Sequence, residues 1–274
     1  MKKLMLAVSI LFILLIVFLM NSKSNPSELL NPDGKTIAER FNTPPGYERT
    51  TEAAGSYQQY IRTLPLKPQG SKVKYFNGET KSKDVYEAVL DIDVGNRDLQ
   101  QCADAAIRLR AEYLYGLKQY DRIHFNFTSG FRADYAKWME GYRISVTDNN
   151  AAWYKNAGYS VEYPVFRDYL EMVFAYAGTL SLLQEMQQIP LSEMSIGDVF
   201  LDKGHAIIIV DMAVNQASGS KLFMLAQSYM PAQDIQILKN LQSKDFSPWY
   251  PLDFGTTLVT PEWTFTVSDL RRFE

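Results

Sequence analysis

The sequence predicts an α+β fold: a helix carrying Cys102 packed on an antiparallel sheet, with a long helical, aromatic-rich insertion between them. Three stretches predict it. Residues 195–210, SIGDVFLDKGHAIIIV, read as a Gly-Asp turn, a short apolar strand, a four-residue turn and a β-branched strand long enough to be buried on both faces. Residues 98–117 read as a helix, because Asp98 with Gln101 three positions on fits a capping box. Between them the chain is dense in aromatics and then runs into an apolar helical stretch, 165–188, that ends before Pro190.

Composition bounds the rest. A chain of 274 residues, 46% of them apolar, can bury one large core. A net charge of -3 with no strongly basic face or tail excludes nucleic acid as a partner. Met1-Lys2-Lys3 followed by 17 uncharged apolar residues, 4–20, reads as a signal peptide or an uncleaved membrane anchor within residues 1–24. No cysteine follows it, which excludes a lipoprotein anchor. The protein is therefore expected to be exported, periplasmic or associated with the cell envelope, with the membrane a partner if the segment stays in place. Its single cysteine cannot form an internal disulfide. Such a thiol is either buried and inert or kept for chemistry.

In chain order, residues 25–35 form a polar linker with two Asn-Pro steps within it, and residues 36–274 form one α+β domain with its insertion at about 118–194. Residues 36–40 give a short helical turn stopped by Pro44-Pro45-Gly46, and 56–63 a helix stopped before Pro65. Residues 72–76 and 86–94 are expected as strands joined through the hairpin-favouring Asn77-Gly78. Residues 121–128 alternate as a strand, with Ile123, Phe125 and Phe127 on one face and His124 and Asn126 on the other. From 131 to 163 the aromatics fit a docked helix pair better than a ligand-binding insertion. Residues 221–227 form a strand pairing back on the one that follows His205, and two β-like runs surround Leu258 and Phe265.

The candidate chemistry rests on few residues. Cys102 falls in the first turns of its helix, where the dipole favours a thiolate. It also shares a helical face with Leu99, Ala106, Leu109 and Tyr113, and by that count a packed core cysteine ranks ahead of a reactive one. His205 sits at the mouth of a buried strand; His124 is an alternative partner for Cys102, although an exposed strand histidine is the simpler reading. Asp211, six residues from His205, has the same strand parity. Two histidines far apart in sequence argue against zinc, and neither metal-ligand spacing nor a phosphate loop suggests a cofactor.

Cys102, Gly197-Asp198-Val199-Phe200, Gly204-His205-Ala206-Ile207 and Gln227 stand in an order that resembles the papain-like cell-wall amidases and peptidases, including the cysteine- and histidine-dependent amidohydrolase/peptidase group. The chain is also similar to a bacterial exported family of unknown function, through the runs 98–104, 108–113, 127–130 and 226–233. The first resemblance implies a cysteine hydrolase acting on peptidoglycan or another peptide. Cys102 would be a thiolate, His205 its imidazolium partner and Gln227 the group that orients the ring, with Asp211 as the runner-up for that role. The Cys102 N–H and Gln101 or Gln100 would steady the oxyanion. The rival readings are a non-catalytic papain-like protein that binds glycan or peptide through the aromatic insertion, and a tethered structural envelope protein.

Overall fold

A computed structural model describes residues 29–274; the expected leader and the first part of the linker lie outside the described residues. Six α-helices occur among the described residues: α1 (Ile37–Arg40), α2 (Tyr57–Arg62), α3 (Cys102–Gly116), α4 (Tyr135–Met139), α5 (Tyr163–Tyr176) and α6 (Thr179–Glu185). The strands before the central sheet region are β1 (Glu48–Arg49), β2 (Tyr86–Val89), β3 (His124–Asn126), β4 (Arg132–Asp134), β5 (Tyr142–Thr147) and β6 (Asn150–Lys155). They are followed by β7 (Gln187–Gln188), β8 (Val199–Leu201), β9 (Ala206–Val214), β10 (Lys221–Gln227) and β11 (Gln236–Leu238). The tail adds β12 (Tyr250–Pro251), β13 (Thr257–Val259), β14 (Thr264–Thr266) and β15 (Leu270–Arg272).

The architecture is mixed α+β around one nine-stranded antiparallel sheet, ordered β2-β11-β10-β9-β8-β15-β7, with β1 on β9 and β12 on β10. β9 is its spine: Ala206 to Ala213 are all buried, and α2 and α3 both pack on it. This is the outcome the uninterrupted β-branched run required, since a strand flanked on both edges and covered on both faces has no polar side to show.

Four expectations give way. The Asn77-Gly78 turn forms, with Gly78 at φ +86°, but it closes Lys74 onto Thr80 and does not deliver the chain to β2, whose partner is β11. A good turn fixes only its immediate flanks; the strand found its partner through burial. The capping box is displaced by three residues: Gln101 is the N-cap and Asp104 accepts from its backbone N–H at 3.0 Å, so the helix opens at Cys102 itself. The aromatic stretch 131–163 is mainly not helical. After the short α4 it forms the β5–β6 hairpin, which turns through Asp148 at φ +54° and Asn149, residue types that tolerate the left-handed region. The insertion is therefore part helix and part hairpin. Finally, the helix expected at 165–188 is two helices, broken at Ala177-Gly178, where the extended backbone takes the chain out of α5 and into α6.

Candidate functional site

The β8–β9 turn is built to hold His205. Asp202 Oδ1 accepts from the backbone N–H groups of Gly204 (2.7 Å) and His205 (2.8 Å), while its Oδ2 accepts from Trp263 Nε1 at 3.0 Å. A Cβ at position 204 would come within 2.7 Å of the Trp263 ring, so any side chain there must push that ring aside. Gly197, in the matching turn before β8, combines φ +88° with a Tyr57 ring 2.6 Å from where its Cβ would stand. The adjacent Asp198 is structural: Arg272 donates to both its oxygens, at 2.7 and 2.8 Å, tying β8 to β15.

Sheet register decides which polar residues meet the histidine. Ala226 lies opposite Ile208, so one further step sets Gln227 beside Ile207, on the face that carries His205. His205 Nε2 and Gln227 Oε1 are 2.9 Å apart, both side chains fully buried. Gln227 Nε2 donates to Glu262 Oε2 at 2.7 Å, and Glu262 is salt-bridged to the buried Lys81 at 2.5 Å. This chain of contacts sets the tautomer. A carboxylate held by an ammonium accepts only, so the Gln227 amide must turn its nitrogen to Glu262 and its oxygen to the ring. Nε2 then carries the hydrogen and Nδ1 is left with a lone pair. His205 Nδ1 is buried and has no hydrogen-bond partner. Tyr229, Trp263 and Phe265 pack around the ring, with centroids 4.8, 5.4 and 6.0 Å away.

Asp211 does not reach this ring: it lies six residues on, roughly 20 Å along the strand, and a β-bulge turns it to the other face. The register slips between Met224 and Leu225, so that Ile209 faces Leu225 while Asp211 faces Met224 and Val210 is the extra residue. The parity that would have placed Asp211 on the face of His205 is inverted. Its carboxylate instead binds Arg62 at 2.6 Å and Arg49 at 2.7 Å, joining α2 and β1 to the spine.

Cys102 occupies the first position of α3 and is nearly buried. Burial pushes its thiol up to about 11; the nearby Asp104 adds to this, while the backbone N–H groups of Ala103, Ala206 and Cys102 itself act against it. The Ala206 contact sets the sulfur beside the residue that follows His205, at the end of the sheet where β10 has run out. Burial likewise lowers His205, although its bond to Gln227 opposes this. Burial thus favours the neutral form of each group, and neither ring nitrogen of His205 hydrogen-bonds the sulfur. Cys102 opens into a cleft of about 450 Å³ walled by Gln101, Phe174, Gly178, Lys203 and Met230. His205 does not line it.

The two candidate oxyanion residues separate. Gln101 lines the cleft, its side chain donating to Asp98 at 3.0 Å. Gln100 is buried, with its Oε1 taken by Arg108 at 2.8 Å and its Nε2 unpartnered. His124 lies outside the Cys102 cleft, 3.9 Å from Glu185. Among the described residues no cluster of His, Cys, Asp or Glu could hold a metal ion, and no helix is long and apolar enough to cross a membrane. Sequence reasoning missed Lys81, Tyr229, Glu262 and Trp263. Tyr229 follows the quoted Gln227-Ser228 and could have been found there. Lys81 and the tail residues carry no local signal, because only folding brings them to the ring.

Residues 37–272 match the family described as Domain of unknown function (4846). The chain belongs to this family. No match is found among curated proteins or among solved structures. The family match spans the whole described sheet and all six helices except the last residues of the tail, so the Cys102 cleft and the His205 relay both lie within it.

Proposed function

We propose that this protein is a papain-like cysteine amidase or peptidase of the cell envelope, acting on a peptide or glycopeptide such as peptidoglycan. The observation that carries the reading is the buried, unpartnered Nδ1 of His205, whose other nitrogen is fixed through Gln227, Glu262 and Lys81, next in sequence to the residue whose N–H meets the Cys102 thiol. A buried lone pair without a donor is costly, and a general base awaiting a proton accounts for it.

In this reading Nδ1 takes the thiol proton as sulfur attacks the substrate carbonyl carbon. The charge forming on oxygen is met by backbone N–H groups at the start of α3, with Gln101 at the cleft wall. The imidazolium returns its proton to the leaving amine as the C–N bond breaks. Water, deprotonated by the same nitrogen, then resolves the thioester to a carboxylate and restores the thiol. Because burial favours the protonated thiol, proton transfer to the ring and attack on the carbonyl are coupled.

The test is mass spectrometry of the full chain incubated with peptidoglycan fragments, beside Cys102→Ala and His205→Gln. An acyl adduct on Cys102 and new carboxylate products, absent from both variants, support the reading. A wild-type chain that cleaves nothing and whose thiol stays unreactive until unfolding would leave the family fold as a binding scaffold.

A further inference from the structure

The other end of α3 carries a second concave site that the hydrolase reading does not use. A cavity of about 290 Å³ is lined by Arg110 from α3, Arg122 from the helical turn before β3, His124 and Asn126 from β3, Arg132 from β4, and Glu185 from α6. Three guanidinium groups from three elements thus surround one hollow. Each is anchored by one protein hydrogen bond: Arg110 to the Glu274 carbonyl (2.7 Å), Arg122 to Gln119 (2.8 Å) and Arg132 to Asp134 (2.7 Å). A guanidinium has five N–H donors, so most of their donor capacity is unspent.

Two further groups are unpartnered here. His124 Nδ1 and Glu185 Oε2 are both buried without a hydrogen-bond partner, and the 3.9 Å between His124 Nδ1 and Glu185 Oε1 is too long for one. The positive groups also act on one another: after burial, Arg122 is the largest influence lowering Arg110, and Arg132 is the largest lowering His124. Burial raises Glu185, against the Asn126 backbone N–H and Arg132, which lower it. Besides Glu185, the acid of the lining is Glu274. Past Arg110 and Arg122 the hollow continues into another of about 260 Å³ that holds Gln58 and Tyr57, whose hydroxyl is also buried and unpartnered.

We propose that this cavity binds a small phosphorylated ligand, its phosphoryl group seated among Arg110, Arg122 and Arg132 with His124 and Glu185 completing its hydrogen bonds, and its polar body extending toward Tyr57. A phosphoryl group brings two charges and three terminal oxygens to three forks, whereas a carboxylate would leave one fork unmatched. Arg110 is eight residues from Cys102, about 12 Å along the helix, and lines no part of the thiol cleft, so this site stands or falls apart from the hydrolase reading.

The experiment titrates the full chain with inorganic phosphate at low ionic strength, followed by calorimetry, with acetate as competitor. Arg122 is exposed, so Arg122→Gln keeps the fold, and an unchanged alkylation rate at Cys102 serves as the check. The expected result is saturable binding at one site, weakened about tenfold or more in Arg122→Gln and not displaced by acetate. No saturable binding up to about 10 mM phosphate, or equal binding by Arg122→Gln, overturns the site. Displacement by equal acetate overturns the phosphoryl assignment.

Discussion

Replacing Gln227 by Met is the most direct test of the His205 relay. The substitution is nearly isosteric, so it opens no cavity, but it removes the acceptor of the ring Nε2–H and the donor to Glu262. The ring N–H is left buried and unpaired, at a cost of about 1–3 kcal/mol. Glu262 loses less, because Lys81 still holds the same oxygen. A net loss near 2 kcal/mol lowers Tm by about 4–8 °C in a chain of this size. The kinetic effect is larger. With its tautomer no longer fixed, Nδ1 carries the hydrogen in part of the population and the ring can rotate, so the general base contributes less of the roughly 10²- to 10⁴-fold such a group supplies. The assays are thermal melting, alkylation of Cys102 by iodoacetamide across pH, and hydrolysis of peptidoglycan fragments. A variant with the stated loss in Tm, but with alkylation and hydrolysis unchanged, would refute the relay and reduce Gln227 to a packing residue.

Three further outcomes follow from the same geometry. Because burial holds the Cys102 thiol at about 11, above its usual value of 9.0, its contribution to stability is complete below pH 9 and is lost as pH rises toward 11; melting of the wild type should fall over that window by up to about 2–3 kcal/mol, and Cys102→Ala should fall less. Asp211→Asn should lower stability by about 3 kcal/mol, since two arginines lose their carboxylate, yet leave Cys102 alkylation unchanged; a native Tm with lost reactivity would return the orienting role to Asp211. Gly204→Ala should displace the Trp263 ring from Asp202 at about 1–3 kcal/mol and shift the tryptophan fluorescence, whereas a wild-type spectrum would contradict the close approach at that turn.

What the sequence determined by itself is what depends on neighbours along the chain. The β-branched run 206–210 could only be a doubly buried strand, and the Gly-Asp and Gly-His turns could be read from residues two or three positions apart, because their hydrogen bonds close locally. Gln227 was not fixed that way: the turn register, Val214 opposite Lys221, continued without a break would set it opposite Ile208, and only the bulge moves it beside Ile207, on the face of His205. Tertiary structure decided the rest. A single bulge at Val210 inverted the side on which Asp211 falls, and no count of residues along the chain reveals it. Within the aromatic stretch, residues 142–155 became a hairpin although only Ile144 among them is buried, so cross-strand pairing and the Asp148 turn hold it and no buried face foretold it. Glu262 and Lys81, 181 residues apart, meet only because the tail folds back over β10. The charge state of the site followed from the same cause. A thiol at a helix start reads as a thiolate, but burial in the folded chain pushes its pKa up to about 11 against the backbone N–H groups that lower it.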